Sequence, residues 1–368
     1  MDRAAWQRLG YTALSSVAAV IIAFILGGIL LQVTGHNALS VYGQMFEYGT
    51  RPQQLLDAAK RAGPLIISGC AVAIGFKMNL FNIGVEGQMR VAMLAAAVVG
   101  AAVSLPAVVH VALIFVVAMI VGGFWAWIPA LLKVRRGVNE VISTIMLNAI
   151  AVGVTAWLYN TYFRYQKVDS TGRPSLDVKT KPLPESAWLS NFVTSGSAGL
   201  SWYFFIALLV ALLVWLLVFR STFGFQLRSS GLNPVAAQTA GIESGKMIVR
   251  AMLISGALAG IVGLQAILVD EHSYRPGLAQ GLGFAGIAVA LLGRNHPGGI
   301  VLAALLFGFL QASSGVLQLQ DVPKSIVDII TGIVVLTVVI VNGVVGRWLD
   351  KRTARGTSTA IRSGEVLV

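Results

Sequence analysis

The stretch AVVHVALIFVVAMIVGGFWAWIPAL, residues 107–131, decides the fold. It runs 25 residues without a Lys, Arg, Asp or Glu, and about 20 apolar residues are enough for a helix to cross the hydrocarbon of a bilayer. Lys133, Arg135 and Arg136 follow it, the basic flank that marks the cytoplasmic end of a span. The whole chain has the same character: its 368 residues are 56% hydrophobic and 11% charged, with a mean hydropathy of +0.79. A soluble domain carries about 25% charged residues, so a soluble globular enzyme and a disordered chain are both excluded. The net charge is 27 − 15 = +12. These basic residues sit between apolar runs, where they orient a membrane protein rather than bind nucleic acid. Cys70 is the one cysteine and lies in an apolar run, and the four histidines are scattered. No disulfide framework is possible and no zinc site is expected.

Further long apolar runs cover residues 12–33, 138–160, 201–219, 247–269, 298–318 and 324–346, and shorter or interrupted ones cover 63–77, 90–105 and 281–293. The fold expected is all-α and polytopic, with about ten transmembrane helices, some of them interrupted. The first run follows Arg3 and Arg8, but it is longer than a signal-peptide core and no small-residue cleavage site follows, so it reads as an uncleaved span. With ten alternating spans and the N-terminus inside, 17 of the 27 lysines and arginines fall on inner segments. That bias places both termini in the cytoplasm. The organisation expected is a membrane domain over residues 1–346, with an outer loop at 161–200 and an inner loop at 220–246, followed by a cytoplasmic tail at 347–368. The outer loop is long enough to be either functional or mobile. Tyr159, Tyr162, Phe163 and Tyr165 at its start read as an interfacial aromatic belt. Residues 35–62 read as a second outer segment, within which 53–61 is either an amphipathic surface helix or a solvated connector.

Two places break the apolar pattern. GCAVAIGFK (69–77) leads into MNLFNIGVEGQ (78–88), and GIAVALLGR (286–294) leads into Asn295, His296 and Pro297. Both contain Gly-x-Ala-Val-Ala, then Gly, then a cation. Transporters place their pathways at such interruptions. Between residues 63 and 105 there is little room for two full spans and a loop, so the polar stretch lies at a membrane face or within membrane depth. Asn79, Asn82, Glu86 and Gln88 are therefore candidate linings of a polar passage. The competing reading is a cytoplasmic turn in which Lys77 and Arg90 neutralise Glu86. Asn139 and Glu140 open the next span; a carboxylate there suits the helix dipole better than it suits a substrate. Thr144 and Asn148 share a face with Glu140, and such a stripe lines a cavity or packs on another helix.

In the inner loop, Asn233 can cap a short helix, Pro234 suits its first position and Gly241 its end. Ala236, Ala237 and Ala240 lie between them, giving a small-residue face suited to a partner's groove. A surface helix packed on its own protein is the alternative. Gly281-x-Gly283-x-x-Gly286 fits the dinucleotide pattern, but it lies in an apolar run with no preceding strand. Residues 241–247 miss the phosphate-loop spacing by one residue and lack the Ser or Thr after the Lys. No nucleophile–base–acid set or metal cluster stands out.

Four segments in order, FNIGVEGQM (81–89), NEVISTIMLN (139–148), GLNPVAAQTAGI (231–242) and GIAVALLGRNHP (286–297), resemble the permease subunits of bacterial ABC importers. The likeness is to the branched-chain amino acid/ribose type and, within it, to the nucleoside (simple sugar) branch, and it runs from residue 63 to 346. It implies a non-enzymatic permease of the bacterial cytoplasmic (inner) membrane. The partners implied are a second permease subunit, a cytoplasmic ATPase that carries ATP and Mg, and an extracytoplasmic substrate-binding lipoprotein. By the same resemblance Phe81 and Asn295 join the pathway residues, and Asn233–Ile242 with Gly231 forms the ATPase coupling loop. The rival class is an ion-coupled secondary transporter with Glu86 or Glu140 as proton carrier. Simple sugars and branched-chain amino acids are alternative substrates.

Overall fold

A computed structural model describes residues 20–168, 174–196 and 198–320, with Ala18 and scattered positions between 329 and 341. The expected span at 324–346, the tail at 347–368 and the start of the first span fall largely outside the described residues. Among those described, seven helices are long and apolar enough to cross a membrane, and a bent pair supplies an eighth candidate. The chain is thus a mostly helical, polytopic membrane protein.

The chain divides into two compact units, residues 49–312 and the flanking residues on either side. In the flanking unit, α1 (Val20–Val33) and α2 (Ala38–Gly49) meet at a bend of 119°. Gly35, at φ +84°, makes the turn. Asn37 caps α2 by accepting from the N–H groups of Leu39 and Ser40. The Tyr42 hydroxyl donates to the Phe24 carbonyl at 2.8 Å, and the two rings meet edge to face. Residues 38–49 are therefore helical, where the sequence reading assigned no element.

The larger unit begins with α3 (Pro52–Lys77), a single helix of 26 residues. Its first part is the segment expected as a separate amphipathic helix or link. The polar face there hides continuity that Pro52 at the first helical position starts and that the Lys60–Asp270 ion pair supports. After α4 (Val85–Ala102), α5 (Ala107–Arg136) and α6 (Glu140–Leu158, with a π-helical turn through Phe163) comes the 161–200 loop. Strands β1 (Tyr165–Val168) and β2 (Pro174–Lys179) pair antiparallel in it, as do β3 (Asn191–Ser195) and β4 (Ala198–Ser201). The remaining helices are α7 (Trp202–Trp215), α8 (Thr222–Leu232), α9 (Pro234–Thr239), α10 (Ser244–Val262), α11 (Leu282–Leu292) and α12 (Pro297–Ser313).

More than three quarters of the apolar window of α3 is buried, against under a third for α5, α6 and α7. The centre is therefore α3, α4 and α10, and lipid-type surface falls on α5–α7. Helix α5 crosses α10 where Ala118, Gly122 and Ala126 face Gly256 and Gly260, and a Cβ at Gly260 would run into the Ala118 carbonyl oxygen. Small residues allow this approach, and close packing replaces the hydrophobic drive that lipid does not supply.

The 161–200 loop is strapped to the segment after α10. Thr180 N–H donates to the Tyr274 carbonyl, Leu183 N–H to that of His272 and Leu189 N–H to that of Leu268, all at 2.8–2.9 Å. Trp188 stacks on His272 at 3.9 Å. Tyr159 is buried with its hydroxyl on the Val178 carbonyl, so it belongs to this strap, whereas Tyr162 is exposed as a belt residue would be.

Candidate functional site

The non-helical break after α3 is short, covering residues 78–84, because Glu86 and Gln88 already belong to α4. A carboxylate in a first turn is favoured by the helix dipole. Asn79 reverses the chain with φ +57° and is exposed. Phe81 stands edge-on to Phe76 at 4.9 Å.

Behind this turn lies a closed amide network. Asn82, buried, exchanges two hydrogen bonds of 3.1 Å with Gln88 and donates to Ser255 Oγ on α10 at 3.0 Å. Ser255 in turn donates to the Ala71 carbonyl on α3 at 2.7 Å. From α6, Asn148 Nδ2 donates to the Ile83 carbonyl and its Oδ1 accepts from Gly87 N–H, both at 2.9 Å. A Cβ at Gly87 would meet Asn148 Oδ1 at 2.6 Å, so this position takes no side chain. Glu140 pairs with Lys133 and accepts weakly from Phe81 N–H at 3.5 Å. Asn139 is exposed and caps α6 through Val141 N–H at 2.8 Å.

Glu86 is 4% exposed. Its Oε1 accepts from Arg90 Nη2 at 3.2 Å and from Gly281 N–H at 3.0 Å, and its Oε2 accepts from Gly283 N–H at 3.0 Å. Asn295 lies beyond the other end of α11 at φ +54°, and its buried Oδ1 meets no partner among the described residues.

The 220–246 loop forms the short helix the sequence suggested. Asn233 Oδ1 accepts from Val235 and Ala236 N–H at 3.1 and 3.0 Å, Pro234 opens α9, and Gly241 closes it at φ +79°. Gly231 is pressed on the backbone of Lys77 and Met78, tying the loop to the end of α3. Ala237 is buried, while Ala236 and Ala240 are exposed beside Leu232 and Val235, which are 88% and 72% exposed.

Residues 54–339 match the model of the family described as "Branched-chain amino acid transport system / permease component". The chain belongs to this permease family. It is 36% identical over 330 residues to the guanosine ABC transporter permease NupP of Bacillus subtilis, covering 87% of this chain and 91% of NupP. The nucleoside ABC transporter permease NupB of Lactococcus lactis is 28% identical over 327 residues, covering 88% of this chain and 89% of NupB. The glucose ABC transporter permease TsgB13 of Haloferax volcanii is 32% identical over 343 residues, covering 90% of this chain and 87% of TsgB13.

In this permease, then, Asn82, Glu86, Gln88, Glu140 and Asn148 come together around one break, and no hydrogen bond among the described residues joins Asn295 to them. Several participants are missing from the sequence reading: Ser255, Ser68, and the backbone N–H groups of Gly281 and Gly283. The discarded glycine pattern was the available signal for the last two. Its glycines serve close approach, since a Cβ at Gly283 would strike the Glu86 backbone and one at Gly286 would strike Ser68. On the strap, the hydrogen bond from Lys179, then that from Arg275, holds the Glu271 carboxyl below its ordinary range against the effect of burial. Hydrogen bonds to Asp177 and Glu271 raise Lys179.

Proposed function

We propose that this permease is one of two membrane subunits of an ABC importer that carries nucleosides across the bacterial inner membrane. ATP and Mg act in a separate cytoplasmic ATPase, and an extracytoplasmic lipoprotein delivers the solute. The observation that carries this reading is the 36% identity to a guanosine permease along nearly the full length of both chains. Ten spans with both termini inside remain the topology proposed, supported by eight candidate spans, the short apolar α11 and the apolar run at 324–346.

The geometry supports a division of labour at the break. Asn82 and Gln88 spend their amides on each other, Glu86 and Glu140 are ion-paired, Asn148 holds backbone, and Asn139 caps α6. These six build the wall. Asn79 is exposed, the Phe81 ring is half-buried and the Asn295 Oδ1 meets no partner among the described residues, and these three are the better placed to meet a solute made of a flat base and a hydroxylated sugar. Two ion-paired carboxylates also make a poor proton carrier, which favours the ATP-driven reading over the ion-coupled one. ATP binding in the partner would move α9 and, through Gly231, the end of α3, shifting the bundle between inward- and outward-open states.

The glucose permease relative favours simple sugars as a second reading. Competition separates the two. The assembled importer in proteoliposomes should accumulate labelled guanosine when ATP is inside, and excess uridine or adenosine should block it where excess glucose or leucine does not. Block by glucose alone would transfer the assignment to sugars.

A further inference from the structure

Helix α11 has 11 residues and so reaches only about 16 Å, against about 30 Å of hydrocarbon. It is an interrupted half-span whose first N–H groups need an acceptor. A helix usually meets this need with a Ser, Thr, Asp or Asn at its N-cap. Here the N-cap is Gly281, at φ +87°, which has no side chain to offer. In membrane transporters the N-terminal ends of such half-helices point at anionic groups of the solute.

In this permease that place is already filled from within. Glu86, 195 residues earlier in the chain, gives one oxygen to Gly281 N–H and the other to Gly283 N–H, each at 3.0 Å, while Arg90 neutralises it at 3.2 Å. The carboxylate oxygens thus face donors. The contact is too close to be incidental, since even a Cβ at Gly283 would strike the Glu86 backbone. From α3, Ser68 Oγ donates to the Leu282 carbonyl at 2.9 Å, and Gly286 leaves room for Ser68. A carboxylate that only balanced Arg90 would need none of these glycines.

We infer that Glu86 is a resident anion that locks the N-terminal end of α11 onto α4, so that the two move as one wall and this end is not open to a charged group of the solute. Glu86 is then a positioning residue and makes no contact with solute. This deepens the importer reading and rests on it.

The test uses the complete importer in proteoliposomes with guanosine as probe. Glu86→Gln keeps the size but loses the charge and one acceptor. Losing a charge-assisted hydrogen bond should cut turnover at least about tenfold, while KM stays within about twofold because no solute contact is lost. Glu86→Ala leaves two free N–H groups and an unpaired Arg90. Sodium formate should restore its uptake, formamide should not, and excess guanosine should not compete with the restoration. Wild-type turnover in the Gln variant, or a rise in its KM as large as the fall in turnover, overturns the proposal. So does formate silence, or competition between formate and guanosine, in an Ala variant that melts like wild type; where that variant does not assemble, the Gln result decides. A wild-type importer that moves glucose but not guanosine would sink the nucleoside assignment alone, and the same variants would then be read with glucose.

Discussion

Asn148 is the residue whose removal should expose most about the break. It ties α6 to residues 78–88 by two hydrogen bonds, taking Gly87 N–H and giving to the Ile83 carbonyl. Gly87 lies in the first turn of α4, where its N–H has no partner within the helix. Asn148→Ala therefore strands one donor and one acceptor. Interhelical hydrogen bonds in membranes average about 0.6 kcal/mol and reach about 1.7, so two give about 1.2 kcal/mol on average and at most about 3.4. The variant should lose about 1.2 kcal/mol in reversible detergent-micelle unfolding. Amide exchange over residues 78–90 should quicken by about eightfold if opening is local. Asn148→Asp keeps the acceptor and should fall between the two. A loss below about 0.5 kcal/mol, within the scatter of an ordinary surface change, together with unchanged exchange, would refute the view that the break is held from α6.

Gly260→Val should cost about 1–3 kcal/mol in the same unfolding assay by forcing α5 from α10, whereas Gly153→Ala, with open space around it, should be neutral. The strap has a pH window. Glu271 is lowered, so its contribution is present above its ordinary 4.5 and lost as pH falls through its folded value. Lys179 is raised, so its contribution is present below its ordinary 10.5 and lost as pH rises through its folded value. Lys179→Ala should therefore loosen the loop most between about pH 4.5 and 10.5 and progressively less beyond either limit, by no more than about 1 kcal/mol because the pair is partly exposed; limited proteolysis of residues 180–190 across pH checks this. Val235→Arg should leave the melting of the isolated permease unchanged, since the side chain is exposed, but abolish solute-stimulated ATPase activity of the assembled importer. Unchanged stimulation would remove α9 from the coupling role.

The long spans were legible because hydrophobic length is a direct consequence of the lipid solvent. Residues 107–131 and 138–160 lie within or close to α5 and α6 for that reason. The amphipathic start of α3 and all of α2 were not legible, because Gln53, Gln54, Asp57 and Lys60 in α3, and Ser40, Gln44 and Glu47 in α2, lower the hydropathy while the backbone stays helical. The small cap at Asn233-Pro234 was readable because capping is local chemistry. The wall of the break was readable only as a set of polar residue types. Which of them face one another depends on contacts across long separations, such as Asn82 with Ser255 and Glu86 with Gly281, and no local pattern encodes those. The glycines at 281, 283 and 286 did carry a signal, but one of close approach that resembled a nucleotide loop in spelling alone.

The central claim is that this chain is a passive part of the passage, moved by a companion that burns ATP. Its most direct test compares two sets of proteoliposomes, one with the complete importer and internal ATP, the other with this permease alone under proton and sodium gradients. The account predicts uphill guanosine accumulation in the first set and none in the second. Uphill accumulation by the permease alone would contradict it.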